Sequence, residues 1–205
     1  MKIDCIADLH GYFPDLEGGD LLIVAGDFSG SDNKYEYSEF LGWLNVQHYK
    51  KKIFIAGNHD NHVDKKFYWD KSLDYLCDSG IQWCGLRIWG SPWTKRFIGE
   101  NPRCLAFTCD TDEELAERWK CILKDTDILV THSPPHGILD RVKSGEMVGS
   151  VSLENITRDY PLKLHVFGHI HESYGMLREN GVNYVNASIV DERYRAVNKP
   201  IRIEL

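Results

Sequence analysis

The sequence predicts an α/β domain, and three observations carry that prediction. Apolar runs of strand length alternate with segments whose apolar residues recur at helical spacing. Five of the strand-like runs release polar, chemistry-bearing residues at their carboxyl ends, where open α/β sheets gather ligands. No tandem repeat, low-complexity tract or linker interrupts the 205 residues, so a single domain over 1–205 with one well-buried core is expected.

Taken in order, residues 2–7 alternate polar and apolar and release Asp8-Leu9-His10, a first strand. A short loop with Gly11, Pro14 and Gly18-Gly19 leads to Asp20–Ala25, whose run Leu21-Leu22-Ile23-Val24-Ala25 suits a strand buried on both faces and ends at Gly26-Asp27. Phe40, Leu41 and Leu44 mark one face of a helix from about Lys34 to Gln47, with His48 on its surface. The strand Ile53–Ala56 then delivers Gly57-Asn58-His59-Asp60.

Phe67, Trp69, Leu73 and Leu76 predict a second helix from Lys65 to about Cys77, stopped by Ser79-Gly80. Ile81–Cys84 and Leu86–Trp89 read as a hairpin about Gly85, followed by a long irregular loop to Cys109. Thr111 and Glu114 have capping-box spacing, and Asp112-Glu113-Glu114 suits a helix N-terminus, so a helix is expected from there to Leu123. Asp127–Thr131 is a strand ending at His132, and Ser133-Pro134-Pro135-His136-Gly137 opens an irregular region to about Gly149. A short helix over 152–160 precedes the strand Leu162–Phe167, which ends at Gly168-His169-Ile170-His171. Tyr174–Arg178 and Val182–Asn186 flank the turn dipeptide Asn180-Gly181, and Ile201–Leu205 supplies a last strand.

Composition narrows the classes of function. Hydrophobic residues at 42% and charged residues at 27% give an ordinary globular balance. The net charge of −7 offers no extended basic surface for nucleic acid, and Lys50-Lys51-Lys52 and Lys95-Arg96 read as solvated surface clusters. No apolar run approaches the ~20 residues of a membrane span, and the start Met1–Asp8 is too short and too acidic for a signal peptide. Cys5, Cys77, Cys84, Cys104, Cys109 and Cys121 have neither Cys-x-x-Cys nor zinc-finger spacing, so reduced thiols and a cytoplasmic location are expected, with Cys104 and Cys109 the pair worth watching.

Singly, each strand-end residue has a plain structural reading. Asp8 and Asp27 suit turns, Asn58 is a turn former, and His132 suits a satisfied half-buried site. Together they offer imidazole, carboxylate and amide donors of the kind that hold manganese, iron, zinc or similar ions rather than a soft thiolate site. His62, His136 and His165 read as structural, with His136 also a substrate-contact candidate.

The ordered set Asp8/His10, Gly26-Asp27, Gly57 to Asp60, Thr131-His132 and Gly168 to His171 resembles the calcineurin-like metallophosphoesterases, and the match spans residues 8 to 171. That resemblance implies a four-layer α/β/β/α sandwich of two mixed sheets flanked by helices, with a two-metal site at the strand carboxyl ends. It implies one ion held by Asp8, His10, Asp27 and His171 and a second by Asp27, Asn58, His132 and His169, Asp27 bridging. Such a bridge holds two cations ~3.5–4 Å apart, where they activate a water and clamp a phosphoryl group. The ions implied are two divalent or transition metals from among Mn, Fe, Zn, Ni and Mg, with manganese to the fore. His59 is implied to be the general acid that protonates the leaving oxygen.

Departures within the family narrow the substrate. Gly26-Asp27 is followed by Phe28-Ser29-Gly30-Ser31 rather than the arginine of the protein phosphatases, and Asn58-His59 by Asp60 rather than their glutamate. Gly30 stands where purple acid phosphatases place a metal-bound tyrosine. Ile23 to Phe28, Thr131 to Pro135 and Gly168 to Gly175 are similar instead to the small metallophosphoesterase-domain proteins known from brain and their microbial relatives. This likeness implies phosphodiester hydrolysis of a small substrate, with nucleotides among those accepted. A phosphomonoesterase or nuclease using the same centre is the alternative, and a non-catalytic interaction module the distant third. Phe13, Trp93, Phe97 and Tyr174 are the aromatic residues available to stack a base, though aromatic residues more often serve a core. The loops 91–110 and 133–150 are expected to shape the pocket.

Overall fold

Apolar runs without alternation are explained by strands covered on both faces. The computed structural model describes residues 1–63, 73–97 and 104–205. In chain order its first elements are β1 (Lys2–Ile6), β2 (Gly19–Ala25), α1 (Lys34–Val46), β3 (Tyr49–Ile55) and β4 (Asp74–Tyr75). Then come β5 (Ser79–Trp83), β6 (Leu86–Ser91), β7 (Thr94–Lys95), β8 (Thr108–Cys109), α2 (Asp112–Trp119) and β9 (Ile128–Thr131). The last are α3 (Val151–Thr157), β10 (Leu164–Phe167), β11 (Gly175–Glu179), β12 (Val182–Asn186) and β13 (Ile201–Glu204).

Two mixed sheets result, in the orders β13-β1-β2-β3-β4 and β11-β12-β10-β9-β6-β5. β1 to β4 are mutually parallel, as are β12, β10, β9 and β6, and each sheet gains antiparallel strands at its edge. The parallel interiors need cover on both sides. One parity of side chains (Ile3, Cys5, Leu21, Ile23, Ile53, Ile55) packs against Ile88, Ile128, Val130, Leu164 and Val166 of the second sheet. The other parity of the first sheet (Ile6, Leu22, Val24, Phe54) packs on Tyr37, Phe40 and Leu44 of α1. The outer face of the second sheet (Trp89, Leu129, Val182) is covered by Leu115 and Trp119 of α2 and Leu153 of α3. The layers are therefore α/β/β/α, as the family resemblance implies.

Local chemistry sets the ends of the helices. The Asn33 side chain accepts from the Tyr35 and Glu36 amides at the start of α1. Thr111 Oγ1 accepts from the Glu114 amide at 3.2 Å, while Glu114 Oε2 reaches the Asp110 amide at 2.8 Å, one residue before the partner a reciprocal capping box would use. At the sheet edge Asp4, buried within β1 where simple alternation would expose it, is held by a two-pronged pair with Arg202 of β13 at 2.7 Å in both contacts.

Several expectations change. Most of the helix expected over 65–77 lies outside the described residues, but its last part is strand. β4 pairs with β3, Leu76 N donates to Phe54 O at 2.9 Å, and Ser79-Gly80 open β5 rather than stopping a helix. Leu73 and Leu76, read as one helix face, go to different cores. The loop expected over 91–109 contains the parallel pair β7–β8, and its residues 98–103 lie outside the described set. α2 stops at Trp119, with Ile122 tucked under by a following turn. His48 lies beyond α1, in the turn whose carbonyl accepts from Gly19 N. Cys5, Cys84, Cys104, Cys109 and Cys121 are free thiols, and Cys5 is a core residue.

Candidate metal centre

The strand ladders continue past the strands and carry the polar residues to one edge. Asp8 N donates to Gly26 O and His10 N to Asp27 O, both at 3.0 Å, so the loops leaving β1 and β2 stay in register. Gly168 N donates to His132 O at 3.2 Å and does the same for β10 and β9. Ala7 joins the two sheets there, donating to Ala187 O and accepting from Ile189 N. Asp8, His10, Asp27 and His169 all have left-handed backbones, with φ of 53°, 42°, 50° and 71°. Such conformations are costly for non-glycine residues and concentrate at functional sites.

Glycine serves the centre by absence of bulk. A Cβ on Gly57 would lie 2.2 Å from Asp27 Oδ1, and one on Gly168 would lie 2.4 Å from Asp8 Oδ2. Gly57 does not have a positive φ, so it is required for close approach of the carboxylate and not for turning the chain.

Asp27 is the hub. Its Oδ1 accepts the His59 backbone amide at 2.8 Å. Its Oδ2 is faced by Nε2 of His132 at 3.3 Å and by Nε2 of His10 and of His59, each at 3.9 Å. Burial would raise the Asp27 carboxyl, but the surrounding imidazoles His132, His59 and His10 hold it well below its usual range. Asp8 divides its oxygens. Oδ2 accepts from the His169 amide at 2.9 Å and from Ser188 Oγ, while Oδ1 lies 3.8 Å from His171 Nε2 without a hydrogen bond.

Two imidazoles have their tautomers set from behind. His132 Nδ1 meets the Ala25 carbonyl at 3.0 Å and His171 Nδ1 the Asp191 carbonyl at 3.2 Å; a carbonyl only accepts, so both Nδ1 atoms carry the proton and both Nε2 atoms face the centre. Nε2 of His132 also lies 2.9 Å from Asn58 Oδ1. Burial alone would lower the His132 imidazole, but the Asp27 and Asp8 carboxylates outweigh it and hold it up at about 9. His132 Nε2, Asn58 Oδ1 and Asp27 Oδ2 thus converge on one point, where the imidazolium proton faces two oxygens and a cation could take its place. His10 and His169 go the other way, pushed by burial down to about 4 and about 3.

These residues fit cations. Asp8 Oδ1 and both ring nitrogens of His10 are buried and make no hydrogen bond. Donor atoms come within 4.8 Å of one another in three sets: Asp8/His10/His171, His10/Asp27/His59 and Asp8/Asp27/His132. Two sets contain Asp27 and two contain Asp8. His169 contributes its amide to Asp8 and sets its ring 4.9 Å from that of His132. All eight residues singled out in the sequence are therefore gathered at one edge of the two sheets. Proximity alone does not set His59 apart from the others, since it stands in one of the three donor sets.

Asp60 has a structural task. Fully buried, it accepts from Ser29 N at 3.0 Å and from Gly57 N at 2.8 Å. It ties the turn bearing Asn58 and His59 to the loop after Asp27, with both oxygens committed to backbone amides.

A cavity of about 720 Å³ opens on the centre, with Asp27, Asn58, His59, His169 and His171 in its wall. Lys95, Arg96, Phe97, Cys104 and Thr108 come from the first irregular region, and Val142, Lys143, Ser144, Glu146 and Val148 from the second. Of the four aromatic residues singled out for stacking, Phe97 lies in this wall, its ring 5.1 Å from that of His169 and nearly parallel to it. Phe13 packs on Phe40 and Trp43, Trp93 Nε1 donates to Asp78, and Tyr174 OH donates to Lys199 O. The His136 backbone amide donates to Ser150 O at 3.0 Å and its ring lies 3.7 Å from Asp140, outside the cavity wall. His62 pairs with Asp32 at 3.0 Å, and His165 is a core residue bonded to Thr131.

Several residues at the centre were not singled out in the sequence. Ser188 holds Asp8, the Asp191 carbonyl orients His171, and Tyr194 lies beside three of the histidines. Two residues noted in the sequence for other reasons also reach it: Cys104, singled out only beside Cys109, puts Sγ 3.1 Å from His59 Nε2, and Arg96, read with Lys95 as a solvated surface cluster, lies instead in the cavity wall, paired at 3.2 Å with Asp110.

Comparison with known proteins bears on this arrangement directly. The calcineurin-like phosphoesterase family model matches residues 1–173. Metallophosphoesterase domain-containing protein 1 of Homo sapiens is 37% identical over an alignment covering 98% of this chain and 70% of the relative. Among solved structures, the phosphopantetheinyl hydrolase of Mycobacterium tuberculosis superposes with a TM-score of 0.60 at 18% identity, over 94% of this chain and 90% of the other. The protein TT1561 of Thermus thermophilus superposes with a TM-score of 0.61 at 16% identity, over 90% and 88%. At those identities the two structures speak for the fold alone; the sequence matches go further, and by them this chain belongs to the calcineurin-like phosphoesterase family, whose members are metal-dependent phosphoester hydrolases.

Proposed function

We propose that the protein hydrolyses phosphodiesters of small or nucleotide type at a centre that takes two metal ions. Asp8, His10, Asp27 and His171 would hold one ion and Asp27, Asn58, His132 and His169 the other. The observation that carries this reading is Asp27 Oδ2, faced at once by Nε2 of His10, His59 and His132. Two ions held by these residues would supply an activated water and offset charge on the phosphoryl oxygens.

The chain's own residues do the rest. Asp27 spans both halves of the centre with one oxygen and fixes the His59 backbone with the other. Ala25 O and Asp191 O hold the Nδ1 protons of His132 and His171, so that Nε2 of each ring points inward as the nitrogen that would ligate an ion. His59, with its backbone amide tied to Asp27 and its carbonyl accepting from Ser29 Oγ at 3.2 Å, presents its ring to the cavity and donates the proton that the departing oxygen needs. The cavity has room for both organic arms of a diester.

Lys95 and Arg96 in the cavity wall favour a second reading, a phosphomonoesterase, because cations beside the centre attract a dianion more than a monoanion. A panel of a bis-aryl phosphodiester, an aryl monoester and cyclic nucleotides, each with Mn, Ni, Fe, Zn or Mg, separates the two. Diester turnover should lead, and monoester turnover far above it would replace the first reading by the second.

We further read residues 1–205 as one domain acting in the cytoplasm, a reading supported by its free thiols. Among the described residues no helix is long and apolar enough to cross a membrane.

A further inference from the structure

Tyr194 is held over the centre by a loop built around one residue. Asp191 Oδ1 accepts from the Arg193 and Arg195 amides, both at 2.9 Å, and Oδ2 accepts from Arg195 Nε at 2.8 Å. Asp191 N donates to Arg195 O at 2.9 Å, and the Val190–Ala196 bridge closes the loop. The Asp191 carbonyl then accepts twice: from Tyr194 N at 2.8 Å and from His171 Nδ1 at 3.2 Å. A single peptide oxygen thus fixes both a proposed metal ligand and the backbone of Tyr194.

The backbone of Tyr194 is left-handed, with φ of 57°. A bulky aromatic residue is a rare occupant of that region, where glycine or asparagine would sit with little strain. The ring gains a particular place by it. It stands perpendicular to His10 at 4.8 Å and to His171 at 5.3 Å, and lies 6.0 Å from His59. It remains 45% exposed and forms part of the cavity wall, which also contains Phe97. The ring thus borders the cavity beside the proposed proton donor, the side on which the departing oxygen carries its organic arm in that reading.

We infer that Tyr194 contacts the substrate and sets its specificity, selecting phosphoesters whose organic arm carries a flat aromatic or base-sized group. This rests on the reading of the centre as a phosphodiesterase site. The chemistry is that of aromatic stacking against a planar group, which tolerates many ring types and discriminates against compact aliphatic arms.

Binding and turnover together test it. Affinities of the metal-loaded protein for phenylphosphonate and methylphosphonate are measured by calorimetry, with hydrolysis of a bis-aryl phosphodiester followed in parallel. The wild type should prefer the phenyl ligand by ~10-fold, about the size of one stacking contact. Tyr194→Asn, which keeps a side chain tolerant of the left-handed backbone, should bring that ratio close to one, and Tyr194→Phe should retain it. A wild-type ratio near one, or the same ratio in wild type and Tyr194→Asn, overturns the assignment of Tyr194. If the ratio behaves as expected but the diester is not turned over, the phosphodiesterase reading falls and the aromatic contact stands. Diester turnover with a ratio indifferent to Tyr194→Asn gives the reverse.

Discussion

His132 and His165 are fully buried imidazoles, one just past the end and one within the span of two neighbouring parallel strands of one sheet, and their surroundings differ in everything that bears on chemistry. His165 lies within β10 opposite Leu129, whereas His132 comes three residues later, past the end of β9. That offset is roughly 10 Å along the strand direction. Inside the sheet His165 meets one hydroxyl, Thr131 Oγ1 at 2.8 Å, which itself donates to Ser133 O. No carboxylate offsets its burial, which pushes the imidazole down to about 3. At the edge His132 meets Asp27, Asn58 and the Ala25 carbonyl, and is held up at about 9. The same side chain is core in one place and a metal-ligand candidate in the other. The difference lies in whether the strand has ended, because only beyond the ladder do loops from both sheets converge.

The largest break in that contrast should come from Asp27→Asn, which leaves the shape and removes the charge that three imidazoles face. Several kcal/mol of metal-derived stabilisation go with it, a loss of kcat/KM on the order of 10⁴. Bound metal measured by elemental analysis should fall in step, and full metal content with full activity would exclude Asp27 as the bridge. Next, His59→Ala should keep its metal yet lose roughly 10²–10⁴ in kcat on diesters with poor leaving groups. Equal loss on good and poor leaving groups would remove His59 from proton donation.

Asp60→Ala tests support rather than chemistry. It strands the buried amides of Ser29 and Gly57, at about 1–3 kcal/mol each, so denaturant unfolding should show a loss of about 3 kcal/mol. A variant as stable as the wild type would mean that the two loops hold themselves.

The smallest effect belongs to His165→Leu. Turnover should be unchanged, and stability near neutral pH should shift by about 1 kcal/mol. The pH profile is the sharper readout. In the unfolded chain His165 takes a proton below its usual 6.5, whereas the folded protein refuses it until about pH 3. The unfolded state therefore binds the extra proton in that window, and stability falls as pH drops through it, by about 1.4 kcal/mol per pH unit once well below 6.5. His165→Leu should lack this component of the acid loss; identical profiles would show that His165 protonates in the folded state.

What the sequence made legible follows the same division. The strand ends announced themselves because a buried run followed by a ligand-type residue recurs five times, three of them through a Gly, and Asp8, His10, Asp27, Asn58, His132, His169 and His171 are gathered at the edge those ends form. The layers followed from runs such as Leu21–Ala25, apolar at both parities. Tyr194 and Ser188 gave no signal, since they reach the centre from connections after β12 that carry neither a period nor a motif. Asp191 acts there through its carbonyl, which every residue possesses. Leu73 and Leu76 misled because helical spacing over so few residues also fits a short edge strand whose two sides meet two cores.

The central claim is that the strand-end residues form one centre working with two ions. Its most direct test is a manganese titration of the metal-stripped protein, reading bound metal by calorimetry and bis-aryl phosphodiester turnover on the same samples. Binding should saturate at about two ions per chain, with turnover completed only by the second. Saturation at a single ion per chain with full turnover would contradict the account.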